Sequence, residues 1–289
     1  MKLKFLFSFL FASAALLVSA QEETETGLFE GSIPLEDTYI DGIVKRTLTE
    51  EAMVIEYEPL READIAWEKR IWRIIDTREK MNLPFKYPEK PFFDVIRELA
   101  QNGDIVVFKD EKFTEPMTID EVEGTLNSID TTTVFDYDTY EEKIEIVASE
   151  INAEDIRQYR IKEVWFFDEQ SSVLKTRILG ITPLKDEYDM ETLEFKYTLP
   201  LFHVYYPEAR RHFAKYRVFN DFNDLPPMSW YDLFEQRFFA SYIYKRSNAL
   251  DLRIEDQFLN YERAGIDRLL ESDKIKAELF NFEHDLWTY

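Results

Sequence analysis

Apolar residues recur at helical spacing from Asp64 to Met81, where Ile65, Trp67, Ile71, Ile74, Ile75 and Met81 fall on or near one face. Glu68, Lys69, Arg73, Asp76, Glu79 and Lys80 fill the remainder. Asp64 is a candidate N-cap, and Asn82-Leu83-Pro84 closes the run, because a residue before proline avoids the helical region. The spacing predicts a helix over 64–81. A second helix is expected from Pro91 to Asn102, with proline suited to its first turn and Gly103 to its C-terminal cap. The β-branched run Asp104 to Phe108 reads as a strand. Thr118 opens a short helix, with Glu121 in capping-box position.

The pattern then changes. Residues 125–145 are polar and rich in Asp and Thr, and read as a loop or a short edge strand. Arg160 to Phe167 is a strand, 168–172 a turn, and Val173 to Leu184 its hairpin partner. Glu194 to Tyr206 is a third strand, with Phe195, Tyr197, Leu199, Leu201, His203 and Tyr205 in one alternating set. Pro200 marks an edge position or a break in it. Helices follow at 207–214, at 229–245 (Ser229 as N-cap; Tyr231, Phe234, Phe238 and Tyr242 as stripe) and at 265–285. In the last, Ile266, Leu269, Leu270, Ile275 and Leu279 are apolar. Helices, then sheet, then helices predicts an α+β fold, with helices flanking a central, mostly antiparallel sheet. No internal repeat is seen, and the body from residue 60 to 289 is long enough for one core.

The N-terminus adds an address. Lys2 and Lys4, an apolar run from Phe5 to Val18 and the small residues Val18-Ser19-Ala20 read as a secretory signal over residues 1–20, cleaved between Ala20 and Gln21. The run is too short for a comfortable membrane span. No cysteine follows it to carry a lipid, so an exported chain without its own anchor is expected. From Gln21 to about residue 59 the chain is acidic, without sustained periodicity, and punctuated by Gly27, Gly31, Pro34, Gly42 and Pro59. It reads as an extended arm: either a floppy tail or a strap that orders on a partner.

Composition narrows the chemistry. The 289 residues include 58 Asp and Glu against 35 Lys and Arg, a net charge of −23, which becomes −25 once Lys2 and Lys4 leave with the signal. Such a chain is a poor partner for a nucleic-acid backbone or an anionic lipid surface, which both recruit Lys and Arg. The absence of cysteine excludes disulfides, thiolate metal sites and thiol nucleophiles. Seven glycines leave little for a phosphate-cradling loop, and no nucleotide, nucleophile-elbow or zinc-protease motif is present. His203, His212 and His284 are not at ligand spacing. Glu283-His284-Asp285 reads as a helix-end charge cluster more readily than a metal site. Asp130, Asp136, Asp138, Glu141 and Glu142 lack the turning glycine and the placed glutamate of a calcium loop. No catalytic, cofactor-binding or metal residue is therefore nominated, and no cofactor is expected.

Aromatic pairs stand out instead. Trp165-Phe166-Phe167, Tyr205-Tyr206 and Phe238-Phe239 serve either a two-sided core or a subunit interface, where aromatics and arginine concentrate. Arg210, Arg211, Trp230, Phe238, Phe239 and Arg246 are the interface candidates, and plain core is the alternative for each apolar one.

Several blocks resemble one family. Ile65-Ala66-Trp67-Glu68-Lys69-Arg70-Ile71-Trp72-Arg73-Ile74-Ile75-Asp76 with Arg78-Glu79-Lys80-Met81-Asn82-Leu83-Pro84 is similar to the opening of the gliding-motility protein GldN, called PorN in non-gliding relatives. Residues 162–168, 177–181, 206–210 and 275–287 continue the likeness in order, from about residue 60 to the C-terminus. The resemblance implies a periplasmic component of the type IX secretion machinery of Bacteroidota. There it would form a ring with further copies of itself and an outer-membrane lipoprotein of the GldK/PorK kind, and link to the periplasmic part of a GldM/PorM-like motor protein. It implies a scaffold rather than an enzyme, held at the outer membrane through partners. A periplasmic hydrolase working through two carboxylates and a calcium- or carbohydrate-binding module are the rival readings.

Overall fold

The computed structural model describes residues 54–86, 90–136, 141–189, 194–220, 228–258 and 264–287. The expected signal, its Ala20–Gln21 junction and most of the arm lie outside them. The body is α+β. Its main sheet has seven strands, β1 (Ile65–Asp76), β2 (Val107–Phe108), β5 (Ile156–Asp168), β6 (Val173–Tyr188), β7 (Phe195–Pro200), β8 (His203–Tyr205) and β11 (Tyr242–Arg246). They run in the order β11-β1-β5-β6-β8-β2, with β7 also beside β6, and every pair is antiparallel. The helices are α1 (Phe92–Gln101), α2 (Ile119–Leu126), α3 (Tyr206–Phe213), α4 (Trp230–Glu235), α5 (Ile254–Gln257) and α6 (Ala264–Trp287). A two-stranded ladder of β3 (Asn127–Asp136) with β4 (Glu141–Glu150), and another of β9 (Arg217–Val218) with β10 (Met228–Ser229), complete the topology.

The helix expected over 64–81 is strand β1, followed by a 3-10 turn over Lys80–Phe85. Trp67, Ile71 and Ile75 are four apart, a spacing that returns to the same face with a period of 3.6 or of 2. The β-branched residues of this run favour the pleat, and β5 and β11 pair with it on either side. Lys69 and Arg73, read as a polar helix face, lie on the same strand face as Ile71. The expected helix over 229–245 also divides. Only Trp230–Glu235 is helical, and Tyr242–Arg246 is edge strand β11. Buried Asn82 holds the segment between them. Its amide nitrogen donates to the carbonyl of Ala240 at 2.9 Å and of Asp76 at 2.8 Å, and its oxygen accepts from the Ala240 amide at 2.9 Å.

The described residues of the region over 125–145 are the end of α2 and two long strands rather than a loop or a short edge. The two strands, β3 and β4, have ten residues each and form an antiparallel ladder from Asn127↔Glu150 to Asp136↔Glu141. The threonines are β-branched, and this propensity outweighed their polarity. The strand expected over 104–108 shortens to two residues. Pro200 does break the expected 194–206 strand: β7 pairs with Leu184–Tyr188 and β8 with Gly180–Ile181 of the same neighbour. Thr118 caps α2 with Glu121 in a capping box, and Gly103 follows α1 with φ 74°.

The core is aromatic. Phe92 sits at its centre, its ring 4.5 Å from Trp230, 5.1 Å from Phe234, 5.3 Å from Phe213, 5.4 Å from Tyr159 and 5.7 Å from Phe85. Truncating Phe92 to alanine would cost about 3–5 kcal/mol. Along the same face of β1, Ile75 belongs to this core and Ile71 to a second cluster with Ile243, Ile254, Ile275 and Leu279. Arg73 lies between them. Its Nε is 3.3 Å from Oε2 of the fully buried Glu163, and Nη1 of Arg237 is 3.0 Å from Oε1. Trp165 donates its indole N–H to Glu163 at 3.0 Å. Burial lowers the Arg73 pKa and the Glu163 carboxylate opposes that shift.

Candidate interaction surfaces

Residues 54–61, at the junction of arm and body, have no regular secondary structure and pair with none of the described strands. They are held by side chains. Arg210 of α3 is buried, and its guanidinium carbon lies 3.7 Å from the centre of the Tyr57 ring; that of Arg177 on β6 lies 4.6 Å away. Such stacking suits the planar, weakly hydrated guanidinium. The Tyr57 hydroxyl donates to Glu235 at 2.9 Å, and the Tyr206 hydroxyl donates to the same oxygen at 3.3 Å. Burial and the Glu235 charge push both phenols up, so both keep their protons and remain donors.

Ion pairs flank the ring. Glu56 meets Arg211 at 3.4 Å, and Glu58 meets Lys175 at 2.8 Å. Arg177 donates to the Glu58 carbonyl at 2.8 Å. Lys175 also bonds Asp168, whose carboxyl is held at about 2 by hydrogen bonds from Ser171 and Lys175. Residues 173–178 of β6 pair with β5 alone among the described strands, so the arm root lies beside an otherwise open edge.

Among the described residues, two gathered apolar surfaces face solvent. Helix α6 docks on β11 and β1 through Ser272, Ile275, Leu279 and Phe282. Ser272 accepts the Ile243 amide at 2.8 Å, and Phe282 stacks on Trp67 at 4.7 Å. Its other side presents Ile266, Leu269 and Leu270, each more than half exposed, and Phe280, 67% exposed. Of the five residues named as apolar in this helix from the sequence, only Ile275 and Leu279 join a buried cluster. The second surface is edge strand β7, where Phe195, Tyr197 and Leu199 alternate outward. Exposed apolar groups gathered in this way mark places of contact more often than scattered ones do.

The interface candidates separate. Trp230, at the start of α4, and Phe239, beyond its end, lie in the core, and Phe238 packs against it. Arg210 is buried beneath Tyr57, Arg211 is exposed beside Glu56, and Arg246 pairs with Glu278 at 2.5 Å. Tyr57 and the α6 ridge were not singled out from the sequence. The aromatic flanked by two acids, Glu56-Tyr57-Glu58, was the available signal for the first.

Among the described residues no three His, Asp or Glu groups gather as a metal site, and no helix is long and apolar enough to cross a membrane. His284 and Asp285 are both exposed at the end of α6. Of the calcium-loop residues, Asp136 and Glu141 lie at paired ends of β3 and β4 and Asp138 lies outside the described residues.

Residues 60–288 match the family model described as gliding motility associated protein GldN. The chain belongs to the GldN family. Membership places it with the gliding-motility and type IX secretion apparatus. No curated protein matches the chain. The blocks that resemble GldN fall on structural joints: all of β1, the Glu163 segment of β5, the irregularity of β6 near Gly180, the start of α3 and the end of α6. In this GldN-family chain, a β-carbon added at Gly180 would come within 2.5 Å of the Phe113 ring, so this joint takes no larger residue without movement.

Proposed function

We propose that this chain is a structural subunit of the type IX secretion and gliding machinery, exported to the periplasm and held at the inner face of the outer membrane by its partners. It assembles with further copies of itself and with a GldK/PorK-like lipoprotein into a ring, and links that ring to the periplasmic part of a GldM/PorM-like motor protein. Its work is packing and load transfer rather than catalysis. The GldN family match over 60–288 carries this reading. The α6 ridge and the β7 edge support it, because a scaffold must offer apolar contact area beyond its own core. Ring closure requires head-to-tail interfaces whose rotation returns on itself, which two different surfaces on one subunit supply.

The test is capture of the tagged full chain from detergent-solubilised envelopes, with mass spectrometry and particle imaging. Recovery of an outer-membrane lipoprotein in near-equal amount, within ring-shaped particles, is expected. A lone monomer recovered under gentle conditions would sink the proposal.

A further inference from the structure

Copies of a chain this acidic repel one another unless acidic and basic groups are brought face to face. Such a place exists at the arm root, where Lys175, Arg177, Arg210 and Arg211 receive Glu56, Tyr57 and Glu58. Tyr57 is the one side chain of the segment that is partly buried; its other holds are ion pairs and hydrogen bonds of exposed groups. Tyr57 is half-buried, while the side chains of Glu56 and Glu58 are 83% and 75% exposed. Between it and β1 lie the exposed residues Pro59, Arg61, Glu62 and Ala63. Seven residues from Glu58 reach roughly 20 Å when extended, enough to turn the segment away from its own body.

The cradle is also unfinished when filled from within. Arg210 is nine-tenths buried, yet its Nε and Nη1 have no hydrogen-bond partner among the described residues. The Tyr57 ring satisfies the guanidinium face and leaves those donors unmet.

We propose that the cradle of Lys175, Arg177, Tyr206, Arg210, Arg211 and Glu235 is a docking site between copies, and that in the assembly it holds the Glu56-Tyr57-Glu58 segment of a neighbouring copy. The exchange re-forms the Tyr57 stacking and its bond to Glu235 between chains, which is the low-cost route to association. In the swapped arrangement each segment approaches from outside, free of its own short tether, and its carboxylates can turn toward the unmet donors of Arg210. The inference rests on the self-assembly proposed above.

The chain has no cysteine, so introduced thiols report cleanly. Glu58→Cys in a tagged full chain and Lys175→Cys in an untagged one are co-produced in the organism's own cells, and solubilised envelopes are oxidised. A tagged–untagged disulfide dimer is expected within the assembled particles. The double variant E58C/K175C should give a ladder of linked chains. If particles form and the double variant cross-links only within single chains, exchange is refuted while the assembly reading stands. If the unaltered chain forms no multimers, both fall. As a second arm, Tyr57→Ala should raise the concentration for half-assembly at least tenfold while the body still unfolds in one cooperative transition. Unchanged assembly would overturn the proposal.

Discussion

Arg237 enters the left-handed region at φ 55° and sets its guanidinium Nη1 3.0 Å from the buried carboxylate of Glu163. It is the residue that ends α4: its amide donates to the Phe234 carbonyl and that of Phe238 to Leu233, the paired bonds of a Schellman cap. That position favours glycine, and here a charged side chain bears the backbone cost for an ion pair. Arg237→Ala loses the pair and keeps the strain, whereas Arg237→Gly loses the pair and relieves it. The glycine variant should be more stable than the alanine variant by about 1 kcal/mol in urea denaturation. Equal stabilities would show that the cap is not strained.

Glu163 has the sharper role. With its carboxylate gone, Arg73 is left charged inside the protein between two apolar clusters. Glu163→Leu should cost about 3–5 kcal/mol, and adding Arg73→Met should recover more than half of it. Chemical denaturation of the single and double variants gives the answer. A double variant as weak as the single one would place the cost in packing.

Asn82 joins three backbone groups, the carbonyl of Asp76 and the amide and carbonyl of Ala240. Asn82→Ala would leave the half-buried Ala240 amide and carbonyl without these bonds. A loss of about 3 kcal/mol is expected, with faster hydrogen exchange at Ala240 and along β11.

His203 makes stability depend on pH. Burial lowers its pKa from 6.5 to about 4; the nearby Arg160 and Lys162 lower it too, against the pull of Glu111 and Asp110. Its Nδ1 lies 2.7 Å from the Thr182 hydroxyl oxygen. The unfolded chain takes up the proton first as pH falls below 6.5. This group's contribution is therefore whole above pH 6.5, drains between 6.5 and 4, and changes no further below. The span is about 3 kcal/mol. The stability difference between the protein and His203→Gln should narrow by that order between pH 7 and pH 4.

The exposed α6 ridge separates folding from assembly. Ile266→Ser with Leu270→Ser should change stability by less than about 0.5 kcal/mol, because neither residue packs in the described core. Under the proposed function, recovery of the chain in envelope particles should fall sharply. Unfolding of the variant would instead reveal a core role for the ridge.

What could be read before folding was whatever neighbours in the chain decide. The Thr118–Glu121 capping box, the turn at 168–172, the 173–184 partner strand and the break at Pro200 each depend on a few adjacent residues. All are where their local chemistry puts them. The α+β class followed from the order of these elements, and the family from blocks spread over the body.

Tertiary structure decided the identity of β1, the split of 229–245 and the fate of the interface candidates. Residues four apart satisfy helix and strand alike, so only the pairing of β5 and β11 with β1 could choose. Trp230 and Arg210 look equally available in a sequence. One became core and the other the floor under Tyr57, because burial depends on which distant elements converge, and periodicity carries no information about that.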